Sequence, residues 1–188
     1  MTSELSFHPL QRNLWTDLEE LFGPRGACAG CWCMNWKLRG KAYDEARGSE
    51  TRQMHKSIVD SGVVTGLLAY LRGEVVGWVA VEPRSAYEKL AYSRALKPLD
   101  DQPVWSVTCF FVAKKFRRQG ITVELLKATV EHVRRQGGKI VEGYPVDTQK
   151  NMPAPFVYTG TASAFEQAGF KEVARHTPTR PIFRFVIE

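Results

Sequence analysis

Val104–Thr122 reads VWSVTCFFVAKKFRRQGIT. Ten residues apolar on both faces run into a basic turn that contains a glycine, and a helical pattern follows at once. Apolarity on both faces predicts a strand over 104–113 in the centre of a sheet. A strand that empties into a helix N-terminus exposes unpaired backbone amides, which together with the helix dipole form an anion site. Arg117, Arg118, Gln119 and Gly120 stand where those amides lie, and Lys114 and Lys115 add positive charge. The stretch therefore points to a ligand that carries phosphate.

Working outward, Thr122–Gln136 reads as the strongest helix. Val123, Leu126, Val130 and Val133 form its stripe, and Gly137-Gly138 ends it. Lys139–Val146 is a strand with Ile140, Glu142 and Tyr144 on one face. Pro145, Pro153 and Pro155 then punctuate a loop. A short helix over Thr161–Ala168 stops at Gly169, and strands at Phe170–Arg175 and Ile182–Ile187 follow. Upstream, Thr65–Leu71 and Glu74–Glu82 flank Arg72-Gly73 as a hairpin. Pro83–Asp101 is a polar excursion with a short helix at Ala86–Ala95. Glu4–His8 reads as a first strand, and Gln11–Phe22 as an amphipathic helix ended by Gly23-Pro24. Ser49–Asp60 reads as a helix with Ser49 as N-cap and Met54 and Ile58 inward. Arg25–Arg39 is a loop rich in Cys and Trp. Strands alternating with helices around a hairpin give a mixed α/β architecture, in one domain over 1–188.

Composition narrows the class. The 188 residues are 44% hydrophobic and 24% charged, with a net charge of +6, the balance of a globular chain. There is no membrane-length apolar run and no basic-then-apolar leader, so a cytoplasmic protein is expected. The charge is compatible with an anionic cofactor, an acidic substrate or nucleic acid. No nucleic-acid motif accompanies it.

Two motifs carry a resemblance. Arg117-Arg118-Gln119-Gly120-Ile121-Thr122 resembles the acetyl-CoA signature Q/R-x-x-G-x-G/A, and Ala164–Phe170, AFEQAGF, resembles the late helix and its Gly-Phe ending in the same family. In element order the chain resembles the GNAT N-acetyltransferase superfamily over nearly its whole length. The resemblance implies a mixed, mostly antiparallel sheet of about seven strands with about four to five helices, splayed between the strands at 104–113 and 139–146. It implies acetyl-CoA as co-substrate, no metal, and direct acetyl transfer to an amine of a small molecule or protein. A homodimer is an assembly relatives often form. An RNA-linked amine acceptor and a non-catalytic acyl-CoA sensor are the alternatives.

By the resemblance, Phe110, Phe111 and Val112 give backbone bonds to the pantetheine arm, and Arg117, Arg118, Gln119, Gly120, Ile121 and Thr122 hold the pyrophosphate. The chain departs from the family pattern with Thr122 for a Gly or Ala, Phe165 for a tyrosine acid and Tyr158 for an asparagine. Amine attack needs a base. Glu142 is the first candidate and Glu82 the second, with Tyr144 and Tyr158 as candidate acids and His132 an exposed bystander. Cys28-x-x-Cys31-x-Cys33 offers three thiols to zinc, with His8 or His55 as a fourth ligand, or a redox-sensitive pair. No second ligand pair accompanies it. Cys31, Trp32, Cys33, Trp36 and Cys109 read instead as walls of the acceptor pocket, and Cys109 as a small buried hydrophobe rather than a nucleophile.

Overall fold

A computed structural model describes residues 5–147 and 156–188. Seven strands form one sheet in the order β1-β2-β3-β4-β5-β7-β6. They are β1 (Leu5–Pro9), β2 (Gly66–Leu71), β3 (Glu74–Pro83), β4 (Trp105–Val112), β5 (Ile140–Gly143), β6 (Lys171–Thr177) and β7 (Arg180–Val186). Every neighbouring pair is antiparallel except β4 and β5. The mixed, mostly antiparallel architecture is thus present. The Pro153 and Pro155 positions of the predicted loop lie outside the described residues.

Helices cover both faces. On one, α5 (Ile121–Arg135) and α6 (Ala162–Gln167) bury Leu125, Leu126, Val130, Val133 and Phe165 against Leu67, Val79 and Val107. On the other, α1 (Trp15–Phe22) and α3 (Ser49–Asp60) close over Leu68, Trp78 and Ala80. Two short helices, α2 (Gly40–Ala46) and α4 (Glu88–Ala91), complete the set. α2 has no apolar stripe to mark it, and α4 is shorter than the pattern over 86–95 suggests.

Two helical faces differ from expectation. α3 buries Thr51, His55 and Val59, while Met54 is 39% exposed. The inward stripe is largely polar because Thr51 bonds to the Gly30 carbonyl at 2.7 Å and His55 Nε2 to Thr65 Oγ1 at 2.8 Å. Gly48, rather than Ser49, caps this helix, its amide donating to Thr51 Oγ1 at 3.0 Å. His132 on α5 is buried edge-on against Trp105 rather than exposed.

His55 lies among Trp15 and Trp78. Burial, with Lys37 nearby, drives its pKa from 6.5 to about 3. The folded state therefore holds a neutral imidazole, whereas the unfolded chain takes a proton below 6.5. This contribution is fully present above that value and is lost as pH falls toward about 3. Urea unfolding is expected to show about 2 kcal/mol lost from this group between pH 6.5 and 5, at about 1.4 kcal/mol per unit. His55→Gln removes that part of the slope, and an unchanged slope would contradict the assignment.

The sheet is built to open at its centre. β4 and β5 pair only at Trp105↔Val141, Ser106↔Glu142 and Val107↔Gly143. β5 then ends, and β4 continues alone on that side. Between the pairs Val81↔Val107 and Ala80↔Cys109, β4 carries one extra residue, Thr108. This bulge breaks the alternation, so that Phe110 joins the face of Val107 while Cys109 and Phe111 turn to the opposite face. Phe165 fills the base of the opening. It is fully buried, and a Cβ on Gly143 would stand 2.1 Å from its ring. The aromatic departure from the family pattern is thus a packing residue in a phenylalanine cluster with Phe110, Phe170 and Phe183.

Candidate active site

Beyond the last β4–β5 pair, Phe110 and Val112 turn backbone groups into the gap. The Phe110 amide donates to the Tyr158 carbonyl at 2.6 Å, and the Val112 carbonyl accepts from Arg117 Nε at 2.9 Å. The second bond folds the basic turn back over the end of the strand. Arg118 (φ 61°) and Gly120 (φ 79°) adopt left-handed backbone there, a conformation that suits glycine. The amides of Val123 and Glu124 both return to the Gly120 carbonyl. The amides ahead of them have no intrahelical acceptor, which leaves them directed out of the helix end. A Cβ built on Gly120 meets nothing within 4 Å, so a ligand has room over the turn.

A cleft of about 580 Å³ runs from this turn across β4 to the Cys-rich loop. Arg117, Thr122, Val112 and Phe110 line it together with Cys31, Cys33, Asn35, Trp36 and Tyr158. An extended strand edge, a cluster of free amides and a groove between them suit a long ligand with an amide-bearing arm and a pyrophosphate. Coenzyme A has that constitution.

The family model for the acetyltransferase (GNAT) family matches residues 31–159. This chain belongs to that family. It is accordingly an acyltransferase, with acetyl-CoA as its acetyl donor. Solved structures share the fold at low identity. A GNAT-family acetyltransferase from Streptococcus agalactiae is 12% identical with a TM-score of 0.59, covering 99% of this chain and 97% of its own. The acetyltransferase yncA from Salmonella typhimurium, solved with acetyl-CoA, is 11% identical with a TM-score of 0.55, covering 99% and 95%. The paiA N-acetyltransferase from Thermoplasma acidophilum, in complex with coenzyme A, is 13% identical with a TM-score of 0.54, covering 97% and 99%. No curated protein matches the chain in sequence.

Within this acetyltransferase, the predicted site residues separate into two groups. Phe110, Phe111, Val112, Arg117, Thr122, Cys31, Cys33, Trp36, Cys109 and Tyr158 all line the cleft. Arg118, Gln119 and Gly120 lie in the turn beside it, with Gln119 bonded to the Lys115 carbonyl at 3.1 Å. The Ile121 side chain points into the core, so only its backbone belongs to the turn.

Three expectations are corrected. Glu142 is 1% exposed and its carboxylate is held by Arg84 Nη1 at 3.0 Å and Arg184 Nε at 2.7 Å. It does not line the cleft, and with a guanidinium on each oxygen its carboxylate is already committed. Tyr144 belongs to the same network, donating to Glu142 at 2.7 Å and bonded to Ser106 at 2.8 Å. Burial, with Glu142 beside it, pushes its phenol far above the ordinary range. Trp32 packs between Trp15 and Phe22 and lies outside the cleft. These residues pin the 84–101 excursion and the Cys-rich loop to the sheet.

Glu82 is placed differently. It stands one residue before the end of β3, opposite Ser106, is 4% exposed, and pairs with Lys37 Nζ at 2.5 Å. Burial raises its carboxyl above the ordinary value, and Lys37 partly offsets this. Glu82 does not line the cleft, but it lies within electrostatic reach of the buried Tyr87, as do the cleft-lining thiols of Cys33 and Cys109. Tyr158 presents its phenol in the cleft, where Asn35 Nδ2 donates to it at 3.4 Å, and burial raises its pKa. Lys89 Nζ in turn donates to Asn35 Oδ1 at 2.7 Å. Lys37, Asn35 and Arg47, another cleft-lining residue, went unnoticed in the sequence, because their partners lie far away along the chain. Among the described residues, no group of three or more His, Cys, Asp or Glu side chains is placed to hold a metal. No helix among them is long and apolar enough to cross a membrane.

Proposed function

We propose that the whole chain, residues 1–188, acts as one domain that transfers acetyl from acetyl-CoA directly to an amine of a small molecule or protein. The observation that carries this reading is the opened β4 edge leading to the free amides of the Gly120 turn, with a cleft reaching onward to the Cys-rich loop. Acetyl-CoA supplies the thioester. Phe110 and Val112 offer backbone bonds to its arm, in exchange for the Tyr158 carbonyl. The turn from Arg117 to Thr122 holds its pyrophosphate with amide donors and positive charge.

The acceptor is reactive only as the neutral amine. Glu82 takes the proton, and Lys37 keeps its carboxylate available in a site where burial alone would favour the acid. A β4 amide stabilises the oxyanion as the amine nitrogen bonds to the acetyl carbon. As the carbon–sulfur bond breaks, the Tyr158 hydroxyl protonates the departing thiolate. Tyr158→Phe is expected to lower kcat by about tenfold, since a thiolate needs only modest assistance, with acetyl-CoA affinity unchanged. An equal kcat for the two proteins would remove Tyr158 from the mechanism.

The test is thiol release with acetyl-CoA across amines of several classes: amino acids, polyamines, aminoglycosides, peptide N-termini and aminoacylated RNA. Turnover on an amine outside the RNA class supports the proposal. Turnover on aminoacylated RNA alone would replace it with an RNA-linked acceptor. Tight acetyl-CoA binding without turnover on any of them would favour an acyl-CoA sensor.

A further inference from the structure

All four cysteines of the chain line the one cleft. Two of them meet across it from distant parts of the sequence. Cys33 Sγ lies 3.8 Å from Cys109 Sγ, with the Cys33 thiol directed at the Cys109 sulfur. Cys33 is buried, and Trp78 Nε1 donates to its sulfur at 3.1 Å. Cys109 is partly buried, facing the Cys33 loop because the Thr108 bulge turns it to that side of β4. The loop that presents Cys33 takes left-handed backbone at four non-glycine residues, Ala27, Ala29, Trp32 and Cys33. Such conformations persist only where packing imposes them.

We propose that Cys33 and Cys109 form a peroxide-reactive dithiol, and that its oxidation ties the Cys-rich loop to β4 across the cleft. Cys109, the sulfur open to the cleft, attacks a hydroperoxide. The O–O bond breaks, giving a sulfenic acid and water (or an alcohol). Cys33 Sγ then attacks the Cys109 sulfur. The S–S bond forms, the S–O bond breaks, and the Cys33 proton leaves with the hydroxide as water. Two thiols are oxidised and one peroxide is reduced. The sulfurs need to close from 3.8 Å to about 2.05 Å. Hydrogen bonding to Cys109, followed by burial, holds Cys33 as the thiol, so Cys109 is the first to react. Cys31 is a poorer competitor, its thiol pushed up to about 11 chiefly by burial.

That the bond also slows acetyl transfer rests on the proposed function, since Cys109 adjoins Phe110. The bond itself is read without acetyl-CoA. The full chain carrying Cys28→Ser and Cys31→Ser is treated with stoichiometric hydrogen peroxide and followed by intact mass, non-reducing peptide mapping and thermal unfolding. The expected result is a loss of about 2 Da, a Cys33–Cys109 cross-linked peptide, and a Tm raised by about 5 °C or more because the link closes a long loop. Dithiothreitol reverses all three, and a further Cys33→Ser substitution abolishes them. Two thiols that still titrate freely, or a stable gain of 32 Da on Cys109, would overturn the proposal. An inactive enzyme that nonetheless forms the cross-link would count against the acetyl-transfer reading alone.

Discussion

Glu82→Gln is expected to lower kcat by two to four orders of magnitude, the usual contribution of a positioned general base. Glutamine is nearly isosteric and keeps the end of β3 filled, but it cannot accept the amine proton. The pH profile gives a second signature. Burial raises the Glu82 carboxyl, and the base must be ionised, so activity should rise with pH along a limb that lies above the ordinary carboxylate value. That limb disappears in the variant. Lys37, 11% exposed along its side chain, loses its partner, so stability falls as well and the assay needs a temperature at which the variant is folded. Acetyl-CoA affinity should survive, because Glu82 does not line the cleft that runs to the turn. A loss in kcat below tenfold with the acid limb unmoved would make Glu82 a structural ion-pair member only.

Glu142→Ala should have the opposite character, a large effect on stability. The substitution leaves Arg84 and Arg184, 14% and 10% exposed along their side chains, facing each other without their shared carboxylate. Removing one partner of a buried pair costs about 3–5 kcal/mol, and for a chain of this size that lowers Tm by roughly 10 °C. Arg84 also donates to the Leu90 and Leu96 carbonyls, and Arg184 bonds to Asp100, so loosening should begin in the 84–101 excursion. Urea unfolding measures the first effect and hydrogen exchange across that excursion the second. A stable variant whose kcat falls more than a hundredfold would restore Glu142 as the base.

These two glutamates show where sequence patterns stop being informative. β4, its basic turn and α5 were legible because each is specified by neighbours: apolarity on both faces, a glycine at the turn, a repeat near every fourth residue. The hairpin at Arg72-Gly73 was legible for the same reason. Glu142 was misread because its partners Arg84 and Arg184 stand 58 and 42 residues away. Nothing nearby marks its carboxylate as already committed. The α3 face was misread because the core accepts Thr51 and His55 once Gly30 and Thr65 supply hydrogen bonds. Apolarity favoured Met54 and Ile58 instead. The Thr108 bulge leaves no trace in VTCFFV, yet it decides which way Cys109 looks. Phe165 departs from the family pattern because the chain spends that position on packing against Gly143 and Phe110.

In the proposed binding mode, acetyl-CoA lies in the gap beside β4 with its pyrophosphate on the Gly120 turn. The most direct measurement is thermal unfolding with and without acetyl-CoA, on the native chain and on Gly120→Trp. At a hundredfold excess over Kd, binding to the folded state adds about 2.7 kcal/mol, so the native Tm should rise by about 5–10 °C. The indole of Gly120→Trp covers the turn amides and should erase that rise. No rise in the native protein at saturating acetyl-CoA, or an equal rise in the variant, would rule this binding mode out.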